Sequence, residues 1–170
     1  DLVSDGLCLY QEDEYLLAYN GELYNYLEIS KELKARGYVF RTVSDTEVVL
    51  KAYREWGEKC LEKFNGMFAF AIYDGKRIFL ARDIVGEKPL YFTRTPFRFA
   101  SEAKALGFSC EEFPPAHYGY YDFKELKISR YWNFKPRTID QRHAQDELEE
   151  LLADAVKIRT RADVPYGLYL

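Results

Sequence analysis

One stretch, MFAFAIYDGKRIFLAR (residues 67–82), restricts the fold more than any other. Two apolar runs flank Asp74-Gly75, and Asp-Gly between such runs is the strong short-range signal for a β-hairpin. The signal recurs along the chain. GLCLYQEDEYLLAY places two apolar runs around an acidic turn, PLYFTRTPFRFAS folds back about Thr95-Pro96, and HYGYYDFKELKISRYW holds two further strands. Between the hairpins the period changes. YLEISKELKARG carries Tyr26, Ile29 and Leu33 at i, i+3 and i+7 with Gly37 as its stop, which predicts a helix. SDTEVVLKAYREWG predicts a second, with Val49, Tyr53 and Trp56 on one face and Gly57 as C-cap. EKCLEKFNG and SEAKAL read as short helices and YVFRTV as a short strand. Hairpins, then helices, then more hairpins specify an α+β fold built on mostly antiparallel sheets.

The polar stretch NFKPRTIDQ reads as a linker, with a boundary near Arg137. HAQDELEELLADAVKIRTR follows as a helix whose stripe is Leu148, Leu151, Leu152, Ala155 and Ile158. The last residues, ADVPYGLYL, read as a strand entering a core, so the chain is expected to be an excerpt of a longer protein, divided at residues 1–137 and 138–170.

At 170 residues and 48% hydrophobic composition, the chain can bury a real core. Its 24 basic and 28 acidic residues leave a net charge of −4, with no footprint for nucleic acid. No apolar run approaches the roughly 18 residues of a membrane span, and no signal peptide is visible. Cys8, Cys60 and Cys110 are odd in number and widely spaced, which argues against a disulfide framework or a zinc site and for a reducing cytoplasm.

Four stretches are candidates for chemistry. Asn20-Gly21, inside AYNGELYNY, reads first as a type I′ turn; alternatively its side-chain and backbone N–H groups converge on an oxyanion. Ser44-Asp45-Thr46-Glu47 reads as a capping box, with Ser44 as N-cap and Glu47 reaching back. Asp45 then either serves the helix dipole or holds a ligand's ammonium group. ARDIVGEKPLYF is a surface loop with a local ion pair, or a loop that docks on another domain. His117 and His143 have no catalytic partners, so His117 is expected to be structural and no nucleophile–base pair is present. Cys60 falls on an apolar helix stripe and is expected to be buried.

Taken in order, YNGELYNY, SDTEVVLKAY, LEKFNGMFAFAIYD, IFLARDIVGEKPLYF, FASEAKAL, RYW and DVPYGLYL resemble the glutamine-hydrolysing asparagine synthetases over nearly the whole chain. The resemblance implies a class II glutaminase domain of Ntn-hydrolase type, an αββα sandwich of two mostly antiparallel sheets with flanking helices, over residues 1–137. It implies that residues 138–170 begin an α/β synthetase domain. By the same resemblance Asn20 and Gly21 form the oxyanion hole, and Glu22 and Asp45 hold the α-amino group of glutamine. The nucleophilic N-terminal cysteine and the arginine for the glutamine carboxylate are expected upstream of residue 1. The SGGxDS pyrophosphate-binding loop, in a synthetase domain that uses ATP and Mg²⁺, is expected beyond residue 170. No cofactor or metal is expected in the segment itself.

The implied partners are glutamine, aspartate and ATP, in a cytoplasmic enzyme that the family pattern allows to be a homodimer. Two other readings stand beside this one: an amide former with another acceptor, such as a β-lactam synthetase, and a glutamine-binding domain without catalysis. PPAHY departs from the family, which usually has glycine where Ala116 stands, and this predicts a changed turn.

Overall fold

A computed structural model describes residues 9–107, 109–138, 141–161, 165 and 167. The chain divides into two compact units, the larger spanning Leu7–Asn133.

The larger unit opens on the predicted acidic-turn hairpin, β1 (Leu9–Glu12) and β2 (Tyr15–Leu23). Two helices follow, α1 (Tyr26–Ala35) and α2 (Asp45–Trp56), then a 3₁₀ segment, Gly57–Glu62, where EKCLEKFNG was expected to be helical. The Asp-Gly hairpin forms as β3 (Gly66–Tyr73) and β4 (Ile78–Arg82). The Thr95-Pro96 hairpin forms as β5 (Tyr91–Arg94) and β6 (Phe97–Ala100), followed by a single 3₁₀ turn at Ala103–Ala105. A strand of two residues, β7 (Glu111–Glu112), precedes the hairpin of β8 (His117–Tyr121) and β9 (Leu126–Arg130). All strand pairs are antiparallel, in a six-stranded sheet β1-β2-β3-β4-β8-β9 and a three-stranded sheet β6-β5-β7.

Strand β3 shows how the layers stack. Phe68, Phe70 and Ile72 point to one face, where they join Ile29 and Leu33 of α1 and Val49, Ala52 and Tyr53 of α2 in the main core. The alternate residues Ala69 and Ala71 face the other way and meet Phe92 of β5 and Phe113. Large residues toward the helices and small ones toward the second sheet follow from the two-residue period of a strand. The described layers of this unit are thus helices, large sheet and small sheet.

Two local expectations fail, both because the Glu47 carboxylate takes the donors of the preceding loop. YVFRTV forms no strand: Val39 and Val43 are exposed, and the Arg41 and Thr42 N–H groups donate to the Glu47 carboxylate (2.9 and 2.7 Å). The capping box is incomplete. Ser44 Oγ accepts from Thr46 N–H (3.2 Å), but Glu47 reaches past the cap to Thr42, whose hydroxyl also donates to it (2.7 Å). In PPAHY, Ala116 takes φ 59°, in the left-handed region, and its N–H donates to Asp83 O (2.9 Å).

The remaining unit contains α3 (Gln141–Arg159), the helix expected beyond the linker. Its Leu148, Leu151 and Leu152 are 56–59% exposed, so the stripe covers no core among the described residues. The terminal strand expected at ADVPYGLYL lies mostly outside the described residues. No helix among those described is long and apolar enough to cross a membrane.

Candidate active site

The Asn-Gly dipeptide is not a turn. Asn20 and Gly21 lie inside β2, opposite Ala69 and Phe68 of β3. Gly21 is required there by close approach: a Cβ would sit 2.3 Å from Met67 O and 2.8 Å from Phe68 Cα. Those contacts are with backbone, so no side-chain movement relieves them.

The register also fixes where the Gly21 amide points. Phe68 turns both backbone groups toward Asp83, donating its N–H to Asp83 Oδ2 (3.2 Å) and accepting from Asp83 N–H (2.8 Å). Gly21 and Phe68 are therefore a non-hydrogen-bonded pair, and the Gly21 N–H points away from β3. Leu23, two residues on, points the same way, and its N–H donates to Asp45 Oδ2 (2.9 Å). The Gly21 N–H and the Asp45 carboxylate thus lie along one strand edge, spaced by two residues or about 7 Å.

Asp45 is the first residue of α2 and only 8% exposed. Besides Leu23 N–H, its Oδ2 accepts from Tyr19 OH (3.0 Å). Burial pushes its carboxyl above the ordinary 3.8, and the hydrogen bonds from Leu23, Tyr19 and Thr46 only partly pull it back. All of those donors are neutral. Burial, and then the charge of Asp45, also push the Tyr19 phenol well above its ordinary value. A buried carboxylate with neutral partners and a raised pKa is stabilised by an arriving cation.

Asn20 alternates with Tyr19 and so faces the opposite side of the sheet, where its Nδ2 donates to Ser101 Oγ (3.2 Å) just after β6. Glu22 is exposed and alternates onto the same side as Asn20. Three of the expected site residues are consecutive at the end of β2, and the fourth, Asp45, binds the two residues that bracket them, Tyr19 and Leu23, on the face opposite the Asn20 and Glu22 side chains. Tyr19 and Ser101 were not anticipated. The phase of β2 could have flagged Tyr19, since it shares its face with Leu17 and Leu23; nothing local marks Ser101.

The other candidates carry structure. Cys60 is fully buried, and burial pushes its thiol far above the usual range. Cys8 lies outside the described residues. His117 Nδ1–H donates to Pro115 O (2.6 Å). In ARDIVGEKPLYF, Asp83 accepts from Val85, Glu87 and Lys88 N–H groups, while Arg82 donates to Gly86 O, Lys88 O and Glu112, so the loop is held from beneath. A cleft of about 310 Å³ opens near Glu12, Asp13, Lys51 and Arg54. Its carboxylates are already ion-paired, Glu12 with Lys51 and Arg54, and Asp13 with Arg54.

The family model described as a glutamine amidotransferase domain matches residues 7–119. The chain is 36% identical over 204 residues to asparagine synthetase [glutamine-hydrolyzing] 3 of Bacillus subtilis, covering 96% of this chain and 33% of that protein. It is 37% identical over 170 residues to asparagine synthetase B [glutamine-hydrolyzing] of Escherichia coli, covering 94% and 30%. The chain thus spans about a third of the length of these relatives. Among solved structures, the glutamine phosphoribosylpyrophosphate amidotransferase from B. subtilis, complexed with ADP and GMP, superposes with a TM-score of 0.65 at 24% identity, over 79% of this chain and 33% of that one. A glutamine aminotransferase class-II domain protein from Silicibacter pomeroyi gives 0.56 at 14% identity, over 74% and 72%. At these identities the two structures speak for the fold alone.

Proposed function

The chain belongs to the glutamine amidotransferase domain family and has its Ntn-type fold, and from that premise we propose that it is the glutaminase portion of a glutamine-hydrolysing asparagine synthetase. One observation supports the reading: a neutral donor, the Gly21 N–H, and the buried Asp45 carboxylate with its raised pKa lie along one edge of β2, with Asn20 the neighbouring residue. An oxyanion needs neutral donors and an ammonium needs carboxylates, so the two ends of a glutamine molecule find matching chemistry along one strand.

In this reading a cysteine thiolate upstream of residue 1 adds to the side-chain amide carbon of glutamine. The C=O electron pair moves onto oxygen, and that oxygen lies between Asn20 Nδ2 and Gly21 N–H. The amide nitrogen takes up a proton as the C–N bond breaks and leaves as ammonia, and water then cleaves the thioester to glutamate and frees the cysteine thiol. Asp45 and Glu22 hold the α-ammonium meanwhile. Residues 1–137 make up the glutaminase domain, and 138–170 begin a synthetase domain that uses ATP and Mg²⁺ to activate aspartate for attack by ammonia. The compact unit ending at Asn133 supports that division. A cytoplasmic location agrees with the free thiol of the buried Cys60.

The test is to incubate full-length protein with glutamine, aspartate, ATP and Mg²⁺ and to quantify glutamate and asparagine. Both should form in step. Glutamate without asparagine would assign another acceptor, and no glutamate at all would leave a glutamine-binding domain.

Asp45 gives a separate expectation. Asp45→Asn keeps an oxygen acceptor for Leu23 N–H but removes the charge. Losing a charged hydrogen bond of about 1.5–3 kcal/mol should raise KM for glutamine roughly ten- to hundredfold, with kcat little changed. In the unsubstituted protein, KM should climb as pH falls through the raised pKa of Asp45, because the protonated acid no longer attracts an ammonium. A pH-independent KM, or an unchanged KM in Asp45→Asn, would remove Asp45 from the site.

A further inference from the structure

We propose that Ser101 is a positioning residue for the oxyanion hole, acting through the side-chain amide of Asn20. The inference rests on the glutaminase reading of Asn20 and adds a residue to it.

An asparagine amide has two ends of opposite character. Turned one way it offers two N–H donors; turned over, it offers a carbonyl oxygen that would repel a developing oxyanion. Asn20 is therefore useful only if its amide is held NH₂-first. The backbone of β2 cannot hold it, because the ladder fixes the Cα–Cβ direction and leaves the amide plane free to rotate. The hydrogen bond to Ser101 Oγ, at 3.2 Å, supplies the missing restraint. It uses one hydrogen of the NH₂ group, and the geometry of a planar amide leaves the second free to donate at about 120° to the first.

The position of Ser101 suits the task. It directly follows β6, whose partner β5 is anchored by the buried Phe92 in the core beneath the large sheet. The 3₁₀ turn at Ala103–Ala105 closes the chain on its far side. Ser101 is half-buried, so its hydroxyl is shielded from full competition by water. The small sheet thereby reaches across 81 residues of sequence to set the orientation of one amide on the large sheet.

The experiment uses full-length protein with glutamine and compares Ser101→Ala, Ser101→Thr, Asn20→Ala and the double variant Asn20→Ala/Ser101→Ala. Loss of one neutral hydrogen bond should lower kcat of Ser101→Ala by roughly three- to tenfold, with KM for glutamine nearly constant. Ser101→Thr, which retains the hydroxyl, should recover most of the loss. Because Ser101 acts through Asn20, the double variant should be no slower than Asn20→Ala alone. Three results would overturn the proposal: an unchanged kcat in Ser101→Ala, a threonine variant as slow as alanine, or a double variant slower than Asn20→Ala by the full Ser101 factor. If Asn20→Ala itself turns over normally, the glutaminase reading of Asn20 fails, and that outcome is distinct from a silent Ser101→Ala beside a crippled Asn20→Ala.

Discussion

Asn20→Ala in the full-length protein is expected to lower kcat for glutamine hydrolysis by about 10²–10³ while leaving KM within a few-fold, the usual cost of deleting one oxyanion donor. The split follows from when the interaction forms. In the ground state the glutamine amide oxygen is a neutral carbonyl and gains little from a second donor. In the tetrahedral state it carries nearly a full charge, beside the buried strand β3. An interaction that strengthens only at the transition state lowers kcat and kcat/KM together. The other donor, Gly21 N–H, is backbone and stays in place, so residual activity should survive. Steady-state glutamate release across a glutamine series separates the two parameters. An unchanged kcat would remove Asn20 from the oxyanion hole, and a rise in KM alone would move it to substrate binding.

What could be read from the chain was what is local. The Asp74-Gly75 turn, the 3.6-residue period of α1 and α2 and the stop at Gly37 depend on near neighbours, and each appears in the structure. Failures occur where a group outside the local pattern competes. Asn-Gly has turn chemistry, but opposite β3 the same glycine is needed for backbone approach, and Met67 O fills the space a side chain would take. YVFRTV has strand composition, yet its amides are claimed by Glu47. Strand β7 has only two residues and exposed side chains, so no period could announce it. The site divides in the same way. Residue chemistry offered Asn20, Gly21 and Asp45 with bland alternatives beside them, motif order chose between those and added Glu22, and only the fold joins Asp45 of α2 to the end of β2 through Tyr19 and Leu23. The phase of β2 could have marked Tyr19, but Ser101 enters only through a contact made across the fold.

Lys51→Met should destabilise this unit by about 3–5 kcal/mol, the range for breaking a buried ion pair from one side. In a protein of this size that corresponds to a fall in Tm of roughly 6–20 °C. Lys51 is 3% exposed, and its Nζ lies 2.8 Å from Glu12 Oε1 and 3.3 Å from Glu47 Oε1. It therefore joins the β1–β2 turn to the middle of α2, with Arg54 sharing Glu12 at 2.9 Å. Methionine preserves most of the aliphatic stem, so the loss reports charge rather than volume. Acidification distinguishes the two. Burial pushes the Glu47 carboxyl upward, but the Arg41 and Thr42 hydrogen bonds and Lys51 outweigh it and leave the pKa below the ordinary 4.5. A depressed folded pKa stabilises the fold above the unfolded value, and that stability is lost as pH falls through the folded one. In Lys51→Met the cation is gone, Glu47 takes up its proton at higher pH, and protonation relieves the buried charge. Chemical unfolding of both proteins from neutral to acidic pH should therefore show the gap between them narrowing as pH falls. A gap that stays constant would assign the loss to packing, and no gap at neutral pH would show that Arg54 and the backbone donors satisfy both carboxylates without Lys51.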